Sequence, residues 1–156
     1  MEDFSQIAPI GNGSFGSVYK CRKRLDGIDY AVKRSQRTVR GLKDKERLLK
    51  EVYALAALVD NPHIVRYFNA WLEFDTLYVQ TELCEGGSAW ERHKERRFTE
   101  DELLDMLYQV SKGLDHMHAN DLVHLDIKPE NIYITHDGTF KIGDLGLITR
   151  ASDTDK

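Results

Sequence analysis

The run His124-Leu125-Asp126-Ile127-Lys128-Pro129-Glu130-Asn131 constrains this chain more than any other feature. Its H-x-D-x-x-x-x-N spacing places a carboxylate, an ammonium and an amide on one loop. Asp126 can accept or orient a hydroxyl proton, and the amide oxygen of Asn131 is a hard ligand for a divalent cation. Thirteen residues further on, Asp144-Leu145-Gly146 follows an apolar segment and offers a second carboxylate to the same cation. Either motif alone reads more plainly as a polar loop built on an Asx turn. Their order and spacing make the pair informative.

The rest of the chain supplies a setting for that loop. Phe4 to Ile10, Ser17 to Arg22 and Ile28 to Lys33 alternate as strands, with Leu25-Asp26-Gly27 as a hairpin turn. Residues 34 to 45 are polar and basic and read as a loop. Asp44 to Val59 reads as a helix, because Leu48, Val52, Leu55, Ala56 and Val59 recur at three- and four-residue steps. Ile64 to Glu73 and Leu77 to Leu83 are two further strands about a turn at Phe74-Asp75-Thr76. The sequence therefore predicts a five-stranded α+β lobe with one helix. After the break at Glu85-Gly86-Gly87-Ser88, a helix-rich part is expected. Thr99-Glu100-Asp101-Glu102 is a capping box, followed by an apolar stripe of Leu103, Met106, Leu107, Val110, Leu114 and Met117. Ile132 to Thr135 and Phe140 to Gly143 read as short strands about a His136-Asp137-Gly138 turn.

Composition excludes several classes. The chain has 156 residues and a formal net charge of -4, which disfavours a nucleic-acid binder, since that needs a concentrated basic face. No apolar run approaches the roughly 20 residues of a membrane span. The first residues lack the basic and apolar regions of a signal peptide. Cys21 and Cys84 are too few for a disulfide framework and have no metal-ligand spacing, so reduced thiols in a cytosolic or nuclear protein are expected.

Three further elements bear on chemistry. Gly11-Asn12-Gly13-Ser14-Phe15-Gly16-Ser17-Val18 has the spacing G-x-G-x-x-G-x-V between two strands, where backbone N–H groups can approach phosphate oxygens. A strand rather than a helix follows, which disfavours a dinucleotide-binding turn. Lys33 ends the apolar strand Tyr30-Ala31-Val32, and its plainer reading is a solvated lysine. Glu51 lies on the helix beside apolar Val52, with Lys33 as its natural partner; alone, it would read as an exposed glutamate.

Taken in order, these motifs resemble the eukaryotic protein kinase family over residues 4 to about 150. The resemblance implies a protein kinase-like fold: an N-lobe over residues 4–83, a hinge at 84–87 and an incomplete C-lobe over 88–156 that ends in the activation segment. It implies ATP and Mg²⁺ as cofactors, with the nucleotide held between the lobes. Ile10 to Val18 (Ile10, Gly11, Asn12, Gly13, Ser14, Phe15, Gly16, Ser17 and Val18) would cover the nucleotide. Lys33, backed by Glu51, would hold the α- and β-phosphates. Thr81 falls at the gatekeeper position, the backbone of Glu82 and Cys84 would bond the adenine, and Val18, Ala31 and Tyr133 would sandwich its ring. Asp126 would be the catalytic base with Lys128 near the γ-phosphate, and Asn131 and Asp144 would hold the metal.

Leucine stands where the family usually has arginine in H-L-D, and where it usually has phenylalanine in D-L-G. With K-C-R-K-R-L-D-G, E-V-Y-A-L-A and V-R-Y-F-N-A-W, these departures resemble the Wee family of mitosis-inhibitory kinases. That resemblance implies a nuclear enzyme that phosphorylates an inhibitory tyrosine of a cyclin-dependent kinase. Lys128 and Pro129 by themselves suggest serine/threonine specificity, and the family resemblance overrides them. Translation-initiation-factor kinases share R-Y-F-N-A-W-L-E, but they usually keep H-R-D and carry a long insert between the fourth and fifth strands. Leu125 cannot pair with a phosphorylated loop as arginine does, so activation by such phosphorylation is not expected. The basic stretch from 34 to 47 reads as a solvated loop before it reads as a localisation signal. About 100 further residues are typical of the family, so a piece of a longer protein is expected. The alternative is a truncated, catalytically inactive nucleotide-binding or interaction module. Apolar surface within residues 103 to 134 is expected to be exposed.

Overall fold

The structure is a computed structural model that describes residues 1–13, 16–39, 41–58 and 61–153. The side chains of Arg37, Leu42, Lys45, Arg47, Lys50, Glu51, Leu147 and Asp153 also lie outside the description. The chain divides into two compact units, one of residues 1–53 and 67–83, the other of residues 54–66 and 84–156.

The first unit is built on an antiparallel sheet of β1 (Phe4–Gly13), β2 (Gly16–Lys23), β3 (Asp29–Thr38), β4 (Tyr67–Glu73) and β5 (Thr76–Glu82), in the order β1-β2-β3-β5-β4. Alternation gives the sheet two unlike faces. One carries Phe4, Cys21, Tyr30, Val32 and Tyr78, all buried, with Trp71 packed against them. There the rings of Phe4, Trp71 and Tyr78 stack in succession, with centroids 5.8 and 5.4 Å apart. Offset aromatic pairs of this kind add about 0.5–1.5 kcal/mol each to the area they bury. The other face carries Gly11, Val18, Ala31, Lys33 and Thr81, which are cross-strand or i+2 neighbours in the register.

Two boundaries differ from the sequence reading. β3 runs on to Thr38 through residues expected to form a loop, because Thr38 pairs with Thr76 and the Val39 N–H donates to the Asp75 carbonyl at 2.7 Å. Helix α1 (Gly41–Ala57) accordingly begins three residues earlier than expected. Within it Leu55 is buried and Leu48 and Val52 are half-buried, but Ala56 is exposed; Leu58, just past its end, is buried instead. Val59 lies outside the described residues. The turn between β4 and β5 is as tight as expected: Phe74 and Asp75 both have positive φ, 49° and 58°, the backbone of a two-residue primed turn.

The second unit holds α2 (Ala89–Glu95), α3 (Glu100–Ala119), β6 (Leu122–Val123), β7 (Ile132–Ile134), β8 (Phe140–Ile142) and β9 (Thr149–Arg150). Both helices start with complete capping boxes, Ser88 with Glu91 and Thr99 with Glu102. Each box satisfies two otherwise orphaned N–H groups, and loss of such a cap typically costs about 1 kcal/mol. The α2 box went unrecognised in the sequence because it directly follows the Gly86-Gly87 break. Ile64 was expected to open the fourth strand. It instead forms a parallel bridge with Ile142, flanked by hydrogen bonds from Val65 N–H to the Ile142 carbonyl and from Ile142 N–H to the His63 carbonyl.

Helix α3 packs on β6 and β8 with Val110, Gly113 and Met117 buried. The N-terminal half of its apolar stripe is not core: Leu103 and Leu107 are exposed, as are Leu104 and Tyr108, in line with the apolar surface expected within residues 103 to 134. No described helix is long and apolar enough to cross a membrane.

Candidate active site

The loop from β6 to β7 folds back on itself for local reasons. Leu125 adopts a left-handed conformation with φ 63°, which costs a non-glycine residue about 1–2 kcal/mol. Pro129 starts a single 3-10 turn over Pro129–Asn131, closed by the Asn131 N–H donating to the Lys128 carbonyl at 2.9 Å. That turn returns Asn131 to Asp126. The Asn131 Nδ2 donates to both the backbone carbonyl and the Oδ2 of Asp126, each at 2.9 Å. Lys128 Nζ lies 2.9 Å from the same Oδ2. The Lys128 ammonium, and after it the Asn131 amide, holds the Asp126 carboxyl below its ordinary range, while Asp126 raises the lysine. Asp126 is therefore a fixed carboxylate near neutral pH, with an ammonium alongside it.

A buried histidine ties this loop to the second motif. His124 is 2 % exposed. Its Nδ1 accepts the Asp126 N–H at 3.2 Å, so the ring proton sits on Nε2, which donates to the Gly143 carbonyl at 2.8 Å. The Gly143 N–H in turn donates to the Asn131 carbonyl at 2.8 Å. Gly143 is thus held on both sides, and the next residue, Asp144, takes φ 50° and ψ 62° at the start of a 3-10 turn. Leu145 is buried behind it, so leucine fills an apolar packing position in D-L-G.

Because Asn131 commits its nitrogen to Asp126, its Oδ1 is the atom that could meet a cation. Among the described residues that oxygen accepts no hydrogen bond. No cluster of three or more His, Cys, Asp or Glu among the described residues could hold a metal ion unaided. An amide oxygen plus one carboxylate fits a hard cation that completes its shell with phosphate and water oxygens, as Mg²⁺ does.

The remaining expected residues fall into two groups. In the first unit, Ile10, Gly11 and Asn12 lie on β1 and Ser17 and Val18 on β2, with the Ser17 hydroxyl donating to Asn12 Oδ1 at 3.2 Å. Gly13 pairs with Gly16, and Ser14 and Phe15 lie outside the described residues. The glycines are not equivalent. Gly16 has φ 143°, and a Cβ there would overlap the Arg34 carbonyl oxygen, whereas a Cβ on Gly11 would meet only Val18 Cβ at 3.9 Å. Val18 pairs with Lys33, and Ala31 with Thr81, whose hydroxyl lies 3.5 Å from the Ala31 carbonyl. Glu82 ends β5, and the backbone of Glu51 lies in α1 while its side chain is outside the description.

In the second unit, half-buried Cys84 follows the strand, and Tyr133 sits mid-β7. Burial, reinforced by the negative charge of Asp144, pushes the Tyr133 phenol up to about 12. Sequence reasoning gave no role to His124 or Gly143. The histidine lay in plain view two residues before Asp126, but nothing local signalled the glycine.

A protein kinase domain family model matches residues 4–156. The chain belongs to the protein kinase family. Among curated proteins it is 44 % identical to Wee1-like protein kinase 1-A of Xenopus laevis, covering 96 % of this chain and 30 % of that protein. It is 45 % identical to Wee1-like protein kinase 2 of Danio rerio, covering 96 % of this chain and 33 % of the relative. To Wee1-like protein kinase 2 of Gallus gallus it is 44 % identical, over 95 % and 31 % respectively. The kinase chain thus spans about a third of the length of these relatives. Protein kinases as a family use ATP and a divalent metal ion, in keeping with the oxygen donors at Asn131 and Asp144.

Proposed function

We propose that this chain carries the nucleotide-binding and catalytic-loop segments of a Wee-type kinase, which transfers the γ-phosphoryl group of ATP to an inhibitory tyrosine of a cyclin-dependent kinase in the nucleus. The observation that carries the reading is the Asp126–Lys128–Asn131 cluster. Its carboxylate is oriented by two side chains and one buried histidine link, in a chain whose curated relatives are Wee1-like kinases. An inactive module and an initiation-factor-type kinase are both less favoured on the same grounds.

In this reading the Asp126 carboxylate orients the acceptor hydroxyl and takes its proton late. A carboxylate held at low pKa suits that role, because phosphoryl transfer passes through a loose transition state that needs little early deprotonation. Lys128 neutralises Asp126 and meets the charge on the transferred group. Asn131 Oδ1 and Asp144 would hold Mg²⁺, which when bound would offset the charge of the phosphate oxygens. The Gly11–Gly16 turn and Lys33 bind the phosphates, and Val18, Ala31 and Tyr133 hold the base, with Thr81, Glu82 and Cys84 at its edge. Leu125, 61 % exposed, offers no cation to a phosphorylated loop, so the kinase works without that modification.

The test is Asp126→Asn in the kinase, assayed on a cyclin-dependent kinase substrate with a tyrosine in its glycine loop. Turnover should fall about 10²–10⁴-fold while ATP binding persists. Near-normal turnover removes Asp126 from its role, and transfer confined to serine or threonine overturns the tyrosine assignment.

A further inference from the structure

Gly143 stands between two motifs, and its missing side chain is occupied space. An ideal Cβ there would lie 2.5 Å from Tyr133 Cδ2, 2.6 Å from Tyr133 Cε2 and 3.0 Å from Val65 Cγ2. The φ of Gly143 is not in the left-handed region, so the backbone alone would accept any residue. What excludes a side chain is the Tyr133 ring lying on the glycine.

Neither backbone can yield. Gly143 is held by its N–H to the Asn131 carbonyl and by its carbonyl to His124 Nε2, both at 2.8 Å. Tyr133 lies in β7, paired with Lys141 of β8 and bridged to Ser88. The Ile134 N–H donates to Gly87 at 2.9 Å, and Gly86 donates to the Ile134 carbonyl at 2.8 Å. A methyl group on Gly143 must therefore displace the Tyr133 ring itself, by about 1 Å to restore ordinary contact.

We infer that Gly143 is a positioning residue for nucleotide base recognition: by lacking a side chain it lets the Cδ2–Cε2 edge of the Tyr133 ring rest against the backbone that leads into Asp144, which sets the surface against which the adenine rests. The inference deepens the proposed function and rests on its assignment of Tyr133 to the base. Asp126, Lys128 and Asn131 do not touch the displaced ring in this account, so the effect falls on binding rather than on phosphoryl transfer.

A double-mutant cycle in the kinase tests this, with ATP, adenosine and inorganic tripolyphosphate as probes and dissociation constants as the readout. Gly143→Ala should weaken ATP and adenosine alike by about tenfold and leave tripolyphosphate unchanged, a split that a merely structural lesion would not produce. In the background of Tyr133→Ala, which has no ring to displace, adding Gly143→Ala should change ATP affinity less than twofold. Should Gly143→Ala alone fail to fold, this second pair decides: a folded double variant that matches Tyr133→Ala supports the inference. A double variant that is tenfold weaker than Tyr133→Ala, or unfolded, overturns it, as does an unaltered ATP affinity in Gly143→Ala. Absence of ATP binding by the unmutated kinase overturns the functional reading instead, and this inference with it.

Discussion

Replacing His124 by phenylalanine isolates the link between the Asp126–Asn131 loop and the Gly143–Asp144 segment. The ring is 2 % exposed, and phenylalanine keeps most of its shape while removing both nitrogens. Two partners lose their bonds: the Asp126 N–H, now donating to Nδ1 at 3.2 Å, and the Gly143 carbonyl, now accepting from Nε2 at 2.8 Å. A buried polar group left unpaired costs about 1–3 kcal/mol. Gly143 is buried and should take its full share, whereas half-buried Asp126 can recover part of its own from water. The sum is about 2–4 kcal/mol. At about 2–4 °C per kcal/mol for a chain of this size, the thermal midpoint of the transition that includes the second unit should fall by roughly 5–15 °C. Scanning calorimetry reads this directly. His124→Gln, which can still donate to one partner, should lose only about half as much. A midpoint within 1–2 °C of wild type for His124→Phe would refute the reasoning, because it would mean that neither bond holds the loop.

Two other substitutions probe the scaffold. Gly16→Ala places a Cβ on the Arg34 carbonyl oxygen at φ 143° and should destabilise the first unit by about 1–3 kcal/mol, whereas Gly11→Ala, with its nearest neighbour at 3.9 Å, should stay within about 0.5 kcal/mol. Urea titration compares them, and equal losses would show that strand geometry does not distinguish the two glycines. Glu102, bonded to Arg96 and to the Thr99 N–H, has its carboxyl lowered to about 2 from an ordinary 4.5. The folded pKa is the lower one, so its contribution is complete above about pH 4.5 and is lost as the pH falls towards 2. The gap in thermal midpoint between wild type and Glu102→Gln should accordingly be constant above pH 5 and narrow through that window, and a gap that ignores pH would sink the assignment.

How far each feature could be read in advance follows the range of the interaction that makes it. Thr99 and Glu102 announced the start of α3 because a capping box acts over three residues. Phe74-Asp75 announced its turn, and the β7–β8 hairpin followed from alternation about Asp137-Gly138, for the same reason. The extension of β3 to Thr38 was hidden, because its partners Asp75 and Thr76 lie far along the chain. Ile64 looked like the start of a strand, since burial and β-branching are the same signal whether the partner is a neighbouring strand of the five-stranded sheet or Ile142, 78 positions along the chain. The exposure of Leu103 and Leu107 shows that an apolar stripe states which face a helix could bury, not what is there to bury it.

By itself the sequence determined the chemistry on offer, because the carboxylates, amide, lysines and glycines of a kinase are recognised by type and spacing, and spacing is a local property. Tertiary structure alone decided how those groups are held. The proton on His124 Nε2, the anchoring of Gly143 from both sides and the ring of Tyr133 resting on it join residues that are 10 to 19 positions apart. Each contact depends on where a separate backbone segment happens to pass, and no pattern within either segment encodes that.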